Sequence, residues 1–405
     1  MLAVASRFKW VQINYLAALG QHFDVYVASS GEGGLGAAQD GLREGLRGEA
    51  VGAIREVGAA EVRSRLKAVI SRWQPDLVHV MYYNHDELTL MVRDIVGDDV
   101  PVVYECRDPQ STLSGAGPES AVWERERAAL CASDRQIFVS QALRRYLERG
   151  HRLDLRPTSL LVPQGFGRAT IAPPSPKLSA GDGRLHVALV GTADEEPDHG
   201  RWYGDIIRRL VGSGLVVHSH FWELEGRSLE PYRVLARELE DYHLHPTVGY
   251  RNSTALSKLI SRYDLMGVFH ELGAAHHNES ATLAVCLPTK AVCGWLHGGI
   301  PVVCFPHYGG VVERIEALGI GFVVEEVEDV ARIAADRTAI EQATERCLAS
   351  RDRFTNEHNA GRIRSFVDPV LGGSPQAASA SVTSARRCAT LERGATTRSQ
   401  SPQGR

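Results

Sequence analysis

The residues of this chain with the clearest chemical potential lie between Leu287 and Glu325, in LPTKAVCGWLHGGIPVVCFPHYGGVVERIEALGIGFVVE. The stretch reads as a loop, a short helix, a Gly-Gly turn, a buried strand (IPVVCF), a second glycine turn, another helix (VVERIEALG) and a closing strand. Glycine lets backbone amides come close to a ligand, and a helix N-terminus carries partial positive charge that suits phosphate. In a parallel α/β unit such loops lie at the carboxyl edge of the sheet, where ligands bind. The segment therefore fits a cradle for a nucleotide diphosphate. An ordinary strand–helix repeat with glycine turns would have the same spacing.

A second chemistry comes from histidines: His218 and His220 in VVHSHFW, His270 in VFHE, and His276 and His277 in GAAHHNES. His-x-His can ligate zinc from one face of a strand. No partner spacing such as HExxH accompanies it, and adjacent histidines point apart, so no metal site is expected.

The elements that must position these groups follow from the length and pattern of the chain. A length of 405 residues suggests two domains, each with its own core. Charged residues at 23% and hydrophobic residues at 43% fit a soluble globular protein, and a net charge of −4 gives no support for nucleic acid binding. The seven cysteines form an odd set without CxxC pairs, several in apolar contexts such as PVVCF. Reduced thiols in a cytosolic compartment fit best. No apolar run approaches the roughly 18 residues of a membrane span, and no signal peptide pattern is present. This leaves room for peripheral membrane contact only.

Strands alternate with amphipathic helices. LAVAS, WVQINYLAALGQH and FDVYVASS open the chain, and a glycine-rich segment from Gly31 to Gly58 reads as a loop with helical pieces. EVRSRLKAVISRWQ, PDLVHVMYY, PVVYECRD, ERERAALCASDRQIFVSQALRRYLERG and LLVPQG complete a first domain over residues 1–171. APPSPKLSAGDG, residues 172–183, reads as a linker. The pattern restarts with RLHVALVGT and continues through GLVVHSHFW, HPTVGY, STALSKLISRY and DLMGVFH to the cradle segment, giving a second domain over 184–350. Residues 351–371 form a terminal packing helix, and residues 372–405 lack an apolar face and should be disordered. Such alternation means βαβ units, two parallel sheets of Rossmann type, and a cleft between them.

In this order the motifs resemble those of GT-B-fold glycosyltransferases, especially family 4. PDLVHVMYYNHDE is similar to their strand running into a His-containing interdomain loop, and PVVYECRD to the next strand with its acidic end. ERAALCASDRQIFVS is similar to a helix and strand ending in an interdomain serine, and LLVPQG to the strand closing the first domain. VALVGT resembles the strand opening the donor domain, and LPTKAVCGWLHGGIPVV a donor-site motif. The resemblance covers most of residues 1–369.

It implies transfer of a sugar from a UDP-, GDP- or dTDP-sugar to a carbohydrate, lipid-linked or small-molecule hydroxyl, with no metal or cofactor. Lys290 is expected at the donor, with Thr289 and the amides of Gly309 and Gly310 as further contacts. Glu313 is expected to face the ribose. His270 and Glu271 end a strand at the donor edge. Arg201 is the nearest candidate for a diphosphate cation after VALVGT, and Arg7 and Lys9 for phosphate or acceptor in the first loop. On the acceptor side, His85 and Asp86 should face the cleft. Glu105 or Asp108 is placed to act as base if the reaction inverts the anomeric centre.

The chain also departs from the family. The usual glutamate pair upstream of Gly-x-Pro falls, counting back from Gly299, on Cys286 and Gly294. Two other readings therefore stand beside the transferase: a non-catalytic partner that binds nucleotide sugar or glycan, and a sugar-nucleotide epimerase on a similar fold.

Overall fold

The structure, a computed structural model, describes residues 1–6, 10–30, 46–81, 85–196, 202–222, 228–246, 253–270 and 277–372. Two parallel sheets organise it. The first runs β3-β2-β1-β4-β5-β6-β7 and the second β10-β9-β8-β11-β12-β13. In the first sheet the strands are β1 (Leu2–Ala5), β2 (Tyr26–Ser29), β3 (Arg47–Ala50), β4 (Val78–Met81), β5 (Val102–Cys106), β6 (Arg135–Phe138) and β7 (Ser159–Leu161). In the second they are β8 (His186–Gly191), β9 (Val216–Phe221), β10 (Tyr242–Leu244), β11 (Leu265–Val268), β12 (Val302–Cys304) and β13 (Gly321–Val323). The central strands are apolar on both faces because helices cover both, which is why they read as continuous hydrophobic runs.

Both sheets reverse strand order beside their first strand, between β1 and β4 and between β8 and β11. A parallel sheet opens a crevice at such a point, at the carboxyl ends of its strands. The two crevices face each other across the contact between the halves. One apolar cluster continues from Tyr104, Phe138 and Leu143 of the first half into Leu283, Val285 and Cys286 of the second.

The chain crosses back at its end. The helix Asn356–Leu371 packs on the helix Trp10–Leu19, with Ala360, Ile363 and Val367 against Ile13, Leu16 and Leu19. The stretch expected as a linker lies on the second half. The Ala172 and Ser175 amides donate to the hydroxyls of Ser257 and Ser261, and Lys177 donates to the Tyr263 carbonyl.

One local expectation is corrected. Part of the glycine-rich segment read as a loop forms the edge strand β3, paired with β2 through Tyr26 opposite Arg47. Of the stretch HPTVGY, expected as a strand, residues 247–250 lie outside the described residues, and β10 ends just before it at Leu244. The short helix after Lys290 begins as α-helix over Thr289–Val292 and widens to a π-helix over Cys293–Gly298. Close packing accounts for two of its glycines. A Cβ on Gly294 would stand 2.5 Å from the Cβ of Met266 on β11, and one on Gly298 would meet Ile260. The C-terminal tail lies outside the described residues from 373 onward.

Candidate active site between the two sheets

Lys290 is the hub of the second half. Its Nζ donates to the Tyr203 hydroxyl at 2.8 Å, to His270 Nε2 at 3.3 Å and to the Phe269 carbonyl at 3.4 Å. The rings of Tyr203 and Tyr308 lie 5.4 and 5.9 Å from the same ammonium, within cation–π range. These groups come from separate elements. Tyr203 opens the helix Gly204–Gly212 after β8, His270 follows β11, and Tyr308 precedes the helix Gly309–Leu318 after β12. All lie at the carboxyl edge of the second sheet. His307 stacks on Tyr308 at 4.9 Å, and burial pulls its imidazole below the usual range.

Thr289 is exposed, and its hydroxyl donates to Gln164 Oε1 in the first half at 3.2 Å. Gly309 and Gly310 meet the backbone rather than an open cleft. A Cβ on either would run into the carbonyl of Ala284 or Cys286, so close chain packing accounts for both glycines. Glu313, expected at the ribose, extends to the other half. Its carboxylate accepts from the Ala142 amide at the start of the helix Gln141–His151. Arg7, Lys9, Arg201 and Glu271 lie outside the described residues.

In the first half, His85 begins the helix that follows β4 and is 1% exposed. Its ring nitrogens have no hydrogen-bond partner, its Nε2 stands 3.6 Å from Asp86 Oδ1, and its ring packs on Tyr104 at 5.0 Å. Asp86 is buried and accepts from the Tyr104 hydroxyl at 2.7 Å. Burial raises its pKa, with His85 and the Tyr104 hydrogen bond opposing. Asp86 also lines a small cavity of about 50 Å³ with Glu87, Gln110, Val122 and Arg125.

Glu105 does not fit the role of base. Its carboxylate is 1% exposed, receives Arg107 Nε at 2.7 Å and the Tyr15 hydroxyl at 3.2 Å, and stands 2.9 Å from His79 Nε2. Burial alone would raise its pKa, but Arg107 and His79 outweigh it and hold it at about 2. A carboxylate so stabilised is a weak proton acceptor.

Asp108, two residues beyond β5 and half-buried, remains at the contact between halves. Cys286 senses it there: burial, with Asp108 adding and Lys290 opposing, holds that thiol at about 12. Asp108 and Lys290 therefore flank Cys286 from opposite halves. Ser140, the expected interdomain serine, donates to the Val285 carbonyl at 2.7 Å.

Sequence reasoning missed Tyr203 and Tyr308. The available signal was a tyrosine at each of two helix starts that follow strands of one sheet. It also gave no hint that the histidines of the second half form a connected set. His186 Nδ1 pairs with His218 Nε2 at 2.9 Å, and His218 Nδ1 with His245 Nε2 at 3.2 Å. His186 also reaches Asp182, and His220 Nε2 pairs with the Tyr263 hydroxyl at 2.7 Å. The histidines thus spend nitrogens on one another. Among the described residues no group of three or more His, Cys, Asp or Glu side chains is placed to hold a metal ion. Nor, among them, is any helix long and apolar enough to cross a membrane.

Comparison with known proteins agrees with this fold. Residues 11–161 match the profile of Glycosyltransferase Family 4. The fold matches HepE from Anabaena, solved in complex with UDP and glucose, at TM-score 0.61 and 14% identity over 90% of this chain and 98% of that one. It matches sucrose-phosphate synthase from Thermosynechococcus elongatus at TM-score 0.62 and 16% identity, over 92% and 99% of the two chains. It also matches UDP-GlcNAc 2-epimerase from Neisseria meningitidis bound to UDP-GlcNAc, at TM-score 0.56 and 11% identity, over 90% and 98%. No curated protein matches by sequence. Two Rossmann-like parallel sheets facing across a cleft define the GT-B fold. The chain has that fold, and its first half is similar to the glycosyltransferases of family 4.

Proposed function

We propose that the chain moves a sugar from a nucleotide sugar, held at Lys290, to a hydroxyl acceptor held at the carboxyl edge of the first sheet. The observation that carries this reading is the Lys290 ammonium, gathered by Tyr203, His270 and Phe269 at the mouth of the second sheet. A fixed cation there opposes the negative charge that grows on a departing diphosphate. The N-terminus of the helix Gly309–Leu318 adds to it, so the proposal needs no metal ion.

The bond from the anomeric carbon to the diphosphate breaks, and a bond to the acceptor oxygen forms. In an inverting course Asp108 takes the acceptor proton; in a retaining course the departing phosphate oxygen takes it. His85, with unpartnered nitrogens at the end of β4, is the group assigned to the reacting hydroxyl or donor sugar. Asp86 and its cavity are assigned to the acceptor. UDP is the first nucleotide to test, since it accompanies the Anabaena relative.

The test is a thermal-shift screen of the protein and of Lys290→Ala with UDP, GDP, dTDP and their sugars. Nucleotide release is then measured with carbohydrate, lipid-linked and small-molecule acceptors. Stabilisation by one nucleotide that Lys290→Ala removes, and release that requires acceptor, are the expected results. A lipid-linked acceptor would also bring the chain to a membrane surface. No stabilisation by any nucleotide sinks the reading.

A second reading, donor binding without turnover, draws on Cys286 and Gly294, which replace the usual glutamates. Saturable binding with no release under any acceptor would favour it.

A further inference from the structure

A lysine on a flexible stem makes a poor preset charge, because fixing it costs rotamer entropy. Lys290 also begins a short helix, where the dipole disfavours a cation. Something must therefore hold its ammonium in place before a ligand arrives. Three described acceptors already match its three N–H donors. A phosphate oxygen that reaches this ammonium competes with these acceptors.

Length and anchoring decide which of them gives way. The contacts to His270 and to the Phe269 carbonyl, at 3.3 and 3.4 Å, lie at the long limit of a hydrogen bond. The contact to the Tyr203 hydroxyl, at 2.8 Å, is short and charge-assisted. Tyr203 is also more firmly seated than His270. It is 3% exposed, its ring packs on Phe221 at 5.2 Å, and its amide donates to the Tyr232 hydroxyl, which donates in turn to the Asp194 carbonyl. His270 is only half-buried, on the segment that leaves β11.

We propose that Tyr203 is a positioning residue for the donor diphosphate: it keeps Lys290 in place, while a phosphate oxygen takes the place of His270 Nε2 on the ammonium. This rests on the donor reading above and adds the group that sets the charge. Freed of Lys290, His270 Nε2 becomes available to the same phosphate or to the donor sugar.

The experiment compares wild type with Tyr203→Phe, His270→Gln and Lys290→Ala for affinity toward UDP and toward uridine, by calorimetry. Unfolding without ligand is followed in parallel. Tyr203→Phe keeps the ring and removes only the hydroxyl. It should weaken UDP binding about 10-fold or more while leaving uridine binding within twofold, because a hydrogen bond to a charged group is lost. His270→Gln should weaken UDP binding less than Tyr203→Phe does. Equal losses for UDP and uridine in Tyr203→Phe would mean a merely structural tyrosine and would overturn the inference. So would unchanged UDP affinity in Tyr203→Phe alongside a large loss in Lys290→Ala. If Lys290→Ala itself binds UDP like wild type, it is the donor reading that fails.

Discussion

The carboxylate of Glu313 accepts a hydrogen bond from the backbone amide of Ala142 at 3.0 Å, joining a helix of the second half to the first turn of a helix in the first. Ser140 caps the same helix from its own half through the Leu143 amide, and its hydroxyl donates onward to the Val285 carbonyl. One helix N-terminus is thus satisfied from both sides of the cleft, and an acid there also opposes the helix dipole favourably.

Glu313→Ala should therefore cost about 1 kcal/mol of unfolding free energy, the usual scale of a lost cap. Urea denaturation measures it, with UDP affinity expected to change less than twofold. An affinity loss beyond tenfold at unchanged stability would return Glu313 to the ribose.

Glu105 and Asp108 are three residues apart and should behave oppositely. Glu105→Gln leaves Arg107 buried beside an amide, and breaking a buried pair costs roughly 3–5 kcal/mol. Its activity loss should follow its loss of folded protein. Asp108→Asn keeps the size of a half-buried side chain and should cost less stability than Glu105→Gln. In an inverting reaction it should lower kcat by about 10² to 10⁴. Comparing urea midpoints with kcat for the two variants separates the roles; a destabilised but fully active Asp108→Asn would refute the assignment.

Acid should strike the second half first. His218 is held at about 2 and His220 at about 3, by burial and then by neighbouring imidazoles: His243, His186, His245 and His220 around His218, and His245 beside His220. Burial, His243 and Arg262 also lower His245, while Asp182 faces His186 and Tyr263 faces His220. A histidine whose folded pKa lies below its unfolded value near 6.5 contributes stability in full above that value. It loses that stability as pH falls toward the folded pKa. Each such group forfeits up to about 1.4 kcal/mol per pH unit across this window. Unfolding free energy should therefore drop steeply between about pH 6 and pH 3, and His218→Gln should flatten the slope. An unchanged slope in a folded His218→Gln would show that the cluster does not carry the effect.

Much of the frame was legible because its signal is local. Strands such as VVYEC and HVALVG are apolar runs bounded by turns, and the restart after Gly183 announced a second sheet. β3 escaped because RGEA has no apolar pattern; it forms only because β2 offers it an edge. Lys290 was singled out by the resemblance of LPTKAVCGWLHGGIPVV to a donor-site motif. Tyr203 was not, since its partner lies 87 residues away. Glu105 misled for the same reason: an acid ending a strand reads as catalytic until His79 and Arg107 are seen around it.

The replaced glutamate positions differ in how far they can be reversed. Gly294 is buried in the π-helix, and a Cβ there meets Met266 Cβ at 2.5 Å and Cγ at 2.7 Å. The Met266 Cβ is fixed to β11, so relief requires moving a central strand. Overpacking of this kind costs about 1–3 kcal/mol, and a buried unpaired carboxylate adds more. Gly294→Glu should therefore yield little soluble protein. Cys286 lies at the edge of the cleft, 7% exposed and within electrostatic reach of Lys290. A glutamate there has a cation to meet, so Cys286→Glu should fold and should alter donor affinity rather than abolish the protein. Soluble yield and urea midpoints for the two variants, read beside UDP binding, check this. A soluble Gly294→Glu with raised transfer activity would show that the π-helix yields more readily than its packing implies.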